Sequence, residues 1–294
     1  MAALTGTPSQ GKSHSTRWHY VAYRLRRSPM TVLGLLMITL VLLAVVLGPL
    51  LLSTDPNHID LRARLAAPSA AHWFGTDEVG RDIFTRILHG GRISVGIGFF
   101  VVLVSASLGT MLGGLSGVIG GKTDTAIMRL MDVILSVPSL VLTMALAAAL
   151  GPSLWNAMLA IALVRIPAYV RLARGQTLTI RETGYVKAAR TFGATPWQIL
   201  RWHVAMNAMP PISVQASLDL GSAILMAAAL SFIGLGAQPP AAEWGAMIAV
   251  GRNYVLEQWW YSAFPGMAIL FTAVGFNFFG DGLRDMLDPK QKGR

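Results

Sequence analysis

RLARGQTLTIRETGYVKAARTFGATPWQILRWHVAMNAMPP, residues 171–211, is the long polar interruption in an otherwise apolar chain. Its apolar positions, Tyr185, Val186, Ala188, Ala189, Phe192, Ile199 and Leu200, are interspersed with Lys187, Arg190 and Arg201. That pattern predicts two short amphipathic helices. They join at GATP, residues 193–196, where Pro196 is suited to open the second helix. Gly193 at the junction fits either a left-handed turn, where any side chain is penalised, or an ordinary helix cap.

On either side the chain is made for lipid. Of its 294 residues 53% are hydrophobic and 13% charged, against roughly a quarter charged in a soluble domain. Six stretches are long and apolar enough to be read as membrane spans: 30–52, 93–119, 126–150, 154–170, 212–235 and 261–279. The expected class is an all-α membrane protein of six transmembrane helices. The first span follows the basic string RLRRSP, residues 24–29, and its length predicts an uncleaved anchor rather than a signal peptide. The expected plan is a basic tail over 1–29, the first span over 30–52 and an external loop over 53–92. A five-helix core over 93–280 then contains the polar loop 171–211, and a tail over 281–294 follows.

Charge sets the expected orientation, because Lys and Arg beside membrane spans are retained in the cytoplasm. With the N-terminus inside, cytoplasmic segments hold 18 basic residues and external ones 6. Both termini and the loop 171–211 are therefore expected in the cytoplasm. In the external loop Asp55, Asp60, Asp77, Glu78 and Asp82 balance the basic residues. The formal charge of +10, grouped at span ends, is the cytoplasmic-loop bias of a membrane protein and does not point to nucleic acid. The chain has no cysteine, so a disulfide framework, a thiolate metal site and a cysteine nucleophile are excluded.

Inside the spans a few residues stand out. Gly109, Gly113, Gly117 and Gly121 recur every fourth position, a small-residue face for close helix packing. The string SGVIGGKT, residues 116–123, fails as a phosphate-binding loop, since Ser116 occupies the first glycine position and no strand precedes it. Arg165 is expected to snorkel toward the cytoplasmic boundary. Asp132 is expected to pair locally with Arg129. Asp219 lies deeper, and two readings stay open: a pathway carboxylate that meets a cation or substrate ammonium, or a buried structural one. No catalytic or metal-ligand spacing such as HExxH occurs. Trp244, Tyr254, Trp259, Trp260 and Tyr261 suit an interfacial aromatic belt or an outer vestibule.

Four strings in order resemble one family, the inner-membrane permease subunits of binding-protein-dependent, ATP-driven importers for dipeptides, oligopeptides and nickel. YVKAARTFGATPWQILRWHVAMNAMPP, residues 185–211, resembles the cytoplasmic "EAA" loop. HWFGTDEVGRD (72–82), RLARGQTL (171–178) and LSFIGLGAQPPAAEWGAMI (230–248) resemble the C-type permease of peptide systems, with similarity to dipeptide and D,D-dipeptide permeases. The resemblance implies a type I ABC importer permease-like fold in the bacterial inner membrane. It assigns ATPase coupling to Tyr185, Val186, Lys187, Ala188, Ala189, Gly193, Ala194, Ile199, His203 and Pro210. Asp219 and Arg165 remain the candidate pathway residues.

The implied partners are a homologous permease, two ATPase subunits, an extracytoplasmic solute-binding protein and membrane lipid. ATP and Mg would bind the ATPases, leaving this chain a transport subunit with no cofactor. Two positions depart from the pattern: Lys187 stands where the loop usually has Glu, and Ala227 where members often have Glu. Nickel and glutathione are alternative substrates within the family. A lone secondary transporter and an exporter permease are rival classes, disfavoured by the absence of internal duplication and of fused ATPase sequence.

Overall fold

A computed structural model of the chain describes residues 28–52 and 54–287. The expected cytoplasmic tails fall largely outside the described residues. Pro29, at a first-turn position where its missing N–H goes unused, opens α1 (Pro29–Leu51). Asp82 caps α2 (Ile83–Ile119) by accepting a hydrogen bond from the Thr85 amide at 2.7 Å. Then follow α3 (Gly121–Leu135), α4 (Ser139–Leu150), α5 (Leu154–Arg181), α6 (Gly184–Thr191), α7 (Pro196–Phe232), α8 (Trp244–Gly251) and α9 (Trp260–Leu287).

Among the described residues no strand forms, only one isolated bridge between Thr76 and Asp82. Five helices are long and apolar enough to cross a membrane, or six if α3 and α4 count as one bent span. An all-helical chain is what lipid demands, because each helix satisfies its own backbone.

Five expected boundaries are corrected, the first being the fourth span, which as α5 runs to Arg181 rather than 170. Residues 126–150 are not one rod: α3 and α4 meet at 90°. Pro138 sits at the break, lacks an amide to donate and disfavours helix at the residue before it. α2 begins at Ile83 rather than near 93. Its early arginines are tolerated because Arg86 donates to the Pro56 and Pro240 carbonyls (3.1 and 3.2 Å) and Arg92 to those of Val45 and Val46 (both 3.0 Å). The second amphipathic helix is not separate, since residues 196–232 run as one 37-residue helix with a π turn at Leu200–Val204. At the chain's end α9 continues to Leu287, beyond the expected 279.

The long helix α2 packs along α5 and also against α7 and α1, while α9 packs on α1 and α7. The glycine face works as expected at three of its four positions. A Cβ on Gly109, Gly113 or Gly117 would overlap Tyr169, Val170 or Thr177 of α5. Gly121 is the exception, because α2 ends at Ile119 and Gly121 faces open space at the start of α3. Gly34 of α1 meets α9 the same way, its Cβ position lying 2.6 Å from the Phe279 nitrogen.

The segment before α2 is a built cap. Buried Asp77 accepts from the Val79 and Arg81 amides (3.0 and 2.9 Å) and pairs with the Arg81 side chain. Glu78 pairs with Arg81 and accepts from the Tyr261 hydroxyl. Across from it, buried Glu243 caps α8 through the Gly245 and Ala246 amides, both at 2.9 Å, and accepts from Ser94. The aromatic belt is corrected here. Trp244, Trp260 and Tyr261 are buried inside this cap, with Trp244 Nε1 donating to the Ile87 carbonyl at 2.9 Å, and Trp259 alone of the five is widely exposed.

Candidate functional site: the helix joint and the buried ion pair

The joint between α6 and α7 is fixed by its own sequence. α6 ends with the Gly193 amide donating to the Arg190 carbonyl (2.9 Å) and the Ala194 amide to the Ala189 carbonyl (3.0 Å). This is a Schellman closure, which needs a left-handed residue after the cap. Gly193 supplies it at φ +85. Two residues later Thr195 and Gln198 form a capping box around Pro196, so α7 starts at a defined angle.

One face of the joint is buried and the other bare. Val186 and Ile199 join a small core with Val118, Tyr169, Ala173, Leu200 and Ala208, and Ala194 packs against its edge. Outward stand Phe192, 89% exposed, with Tyr185 and Trp197 about half exposed. The Tyr185 hydroxyl accepts from Asn207 at 3.3 Å, and its ring lies 5.7 Å from that of His203. His203 sits in the π turn and its carbonyl accepts from Asn207 at 2.6 Å. Lys187 pairs with Glu182 at 3.2 Å, and this neighbour holds the Glu182 carboxyl below its ordinary range. Ala188 faces solvent, and Pro210 sits two turns further along α7, its carbonyl accepting from Ser213.

The two candidate pathway residues are brought together. Arg165 Nη1 donates to Asp219 Oδ1 at 2.7 Å, linking α5 to α7 inside the bundle. This corrects the expectation that Arg165 snorkels away: a carboxylate 54 residues distant offers its charge a nearer partner. The other Asp219 oxygen is buried beside the Tyr169 hydroxyl. Tyr169 was not anticipated, although its position one turn after Arg165 is the signal that could have found it. Asp132 pairs with Arg171 of α5 at 2.8 Å rather than with Arg129. Arg174 grips Asp124 through two nitrogens at 2.6 and 2.7 Å, tying α5 to α3. No cluster of three metal-ligating side chains occurs among the described residues.

The all-helical bundle, with its membrane-length helices, is that of an integral membrane protein, and the chain belongs to the family described as binding-protein-dependent transport system inner membrane component, whose model matches residues 109–293. Residues 16–68 match the N-terminal TM domain of oligopeptide transport permease C. More particularly, the chain is 64% identical over 274 residues to the probable D,D-dipeptide transport system permease protein of Escherichia coli (strain K12), covering 93% of this chain and 92% of that one. It is 44% identical to the dipeptide transport system permease protein of Alkalihalophilus pseudofirmus, over 94% of this chain and 90% of that one. It is 42% identical to the glutathione transport system permease protein of Pectobacterium atrosepticum, over 96% and 94%. In fold it is similar to a chain of the inward-facing methionine ABC transporter MetNI, with TM-score 0.56 and 18% identity, over 69% of this chain and 96% of that one.

Proposed function

We propose that this chain pairs with a homologous permease to form the import path for short peptides, with two cytoplasmic ATPases beneath and a solute-binding protein outside. ATP is hydrolysed by those partners, and residues 184–199 carry the stroke into the bundle as a rigid element. The observation that carries this reading is the two-faced joint: Val186 and Ile199 anchor it inward, while Phe192 is left 89% exposed. A large aromatic held bare on a rigid polar loop is what a protein partner's pocket takes as an anchor.

The named substrates of the relatives, D,D-dipeptide and dipeptide, support peptides as cargo. The glutathione relative favours a second reading within the same chemistry, a small peptide-like substrate. The basic-residue asymmetry supports a cytoplasmic position for both termini and the joint.

Gly193→Asp tests the coupling role. No atom lies within 4 Å of the Cβ position, so nothing in the bundle is displaced. The cost is a left-handed backbone, at most about 1–2 kcal/mol, together with a carboxylate set beside the exposed Phe192 face. The assembled importer carrying this variant is expected to insert and bind its ATPases but to lose peptide-stimulated ATP hydrolysis. Normal stimulation would refute the proposal.

A further inference from the structure

Beside the joint, between α2 and the start of α7, lies a groove of about 500 Å³. Its walls are apolar, with Met111, Leu200, Met206 and Met209 among them, and Arg201 and Trp197 line it too. Methionine stems are flexible and adapt to an irregular chain. Trp197, Trp202 and Arg201 are exposed around it, and the Arg201 guanidinium lies over the Trp202 ring at 5.2 Å.

Among the described residues Arg201 is a cation with no carboxylate partner. Arg171, Arg174, Arg181 and Lys187 each face Asp or Glu, whereas no ion pair to Arg201 occurs among the described residues. An apolar trough at a span's end, rimmed by tryptophan and an unpaired arginine, matches an anionic phospholipid in both charge and polarity. Its volume lies within the roughly 300–1,000 Å³ usual for ligand pockets.

We propose that this groove is a phospholipid site, with an acyl chain along the methionine wall and the anionic phosphate on Arg201. Assignment to the inner leaflet rests on the cytoplasmic placement of the joint proposed above; the binding itself does not.

The test uses the assembled importer in nanodiscs of phosphatidylcholine and phosphatidylglycerol, with native mass spectrometry of retained lipid. Arg201→Gln is expected to lower phosphatidylglycerol retention about tenfold, the factor one charge-assisted hydrogen bond supports, and to leave phosphatidylcholine unchanged. Ser107→Trp, which fills the groove from an exposed position, is expected to lower retention of both lipids. A photo-crosslinker at Met206 is expected to label acyl chains. Equal phosphatidylglycerol retention by wild type and Arg201→Gln overturns the site, as does a crosslink to polypeptide alone, which makes the groove a subunit contact. A cysteine at Phe192 labelled from outside, with retention still dependent on Arg201, overturns the coupling reading and the leaflet while the lipid site stands.

Discussion

Asp219 and Arg165 are each expensive alone in a membrane interior and compensate each other at 2.7 Å. Removing one leaves an uncompensated charge or an unpaired buried donor. Asp219→Leu or Arg165→Met is therefore expected to lower stability by about 3–5 kcal/mol. Arg165→Met combined with Asp219→Leu is expected to recover most of that loss. Thermal unfolding in detergent reads the difference, and additive losses in the double variant would show that the two charges act independently. A substrate ammonium reaching Asp219 has to compete with Arg165, so unchanged uptake by a folded Asp219→Asn variant would remove the carboxylate from the pathway. The depth of Asp219 was legible from its position in an apolar run. Its partner was not, because nothing in the sequence near Asp219 indicates that α5 lies against α7 there.

The helix joint was largely legible, since GATP carries its turn and its cap within four residues and both are local chemistry. The merger of the second amphipathic helix into α7 was not. The expected span start at 212 falls inside a continuous helix that contains Pro210 and Pro211, which the surrounding bundle holds together. The glycine face of α2 was legible as a packing surface and mute about its partner. That face yields a contrast between two substitutions. Gly113→Leu drives a side chain into the Val170 carbonyl, whereas Gly96→Ala enters open space. The first is expected to abolish the monodisperse peak in size-exclusion chromatography of detergent extracts, and the second to leave it intact. Loss of the peak in both would mean that α2 tolerates no side chain for reasons other than its contact with α5.

α7 sets the span of the bundle: 37 residues rise about 55 Å at 1.5 Å each. Phe192 precedes one end, and Leu256, 97% exposed, lies beyond the other. Because the chain has no cysteine, single cysteines at these positions report sidedness cleanly. A membrane-impermeant thiol reagent is expected to reach position 256 from outside intact cells and position 192 only after lysis; the reverse pattern would invert the topology. The all-helical class, the number of apolar runs and their bias of basic charge could be read from residue order, because lipid imposes apolar length and backbone closure on each segment separately. Helix pairing, the burial of Trp244 and Tyr261 in the cap before α2 and the Arg165–Asp219 bond depend on contacts between residues far apart in the chain. Those contacts are fixed by which helix faces fit one another, and so they exist once the bundle is assembled and not before.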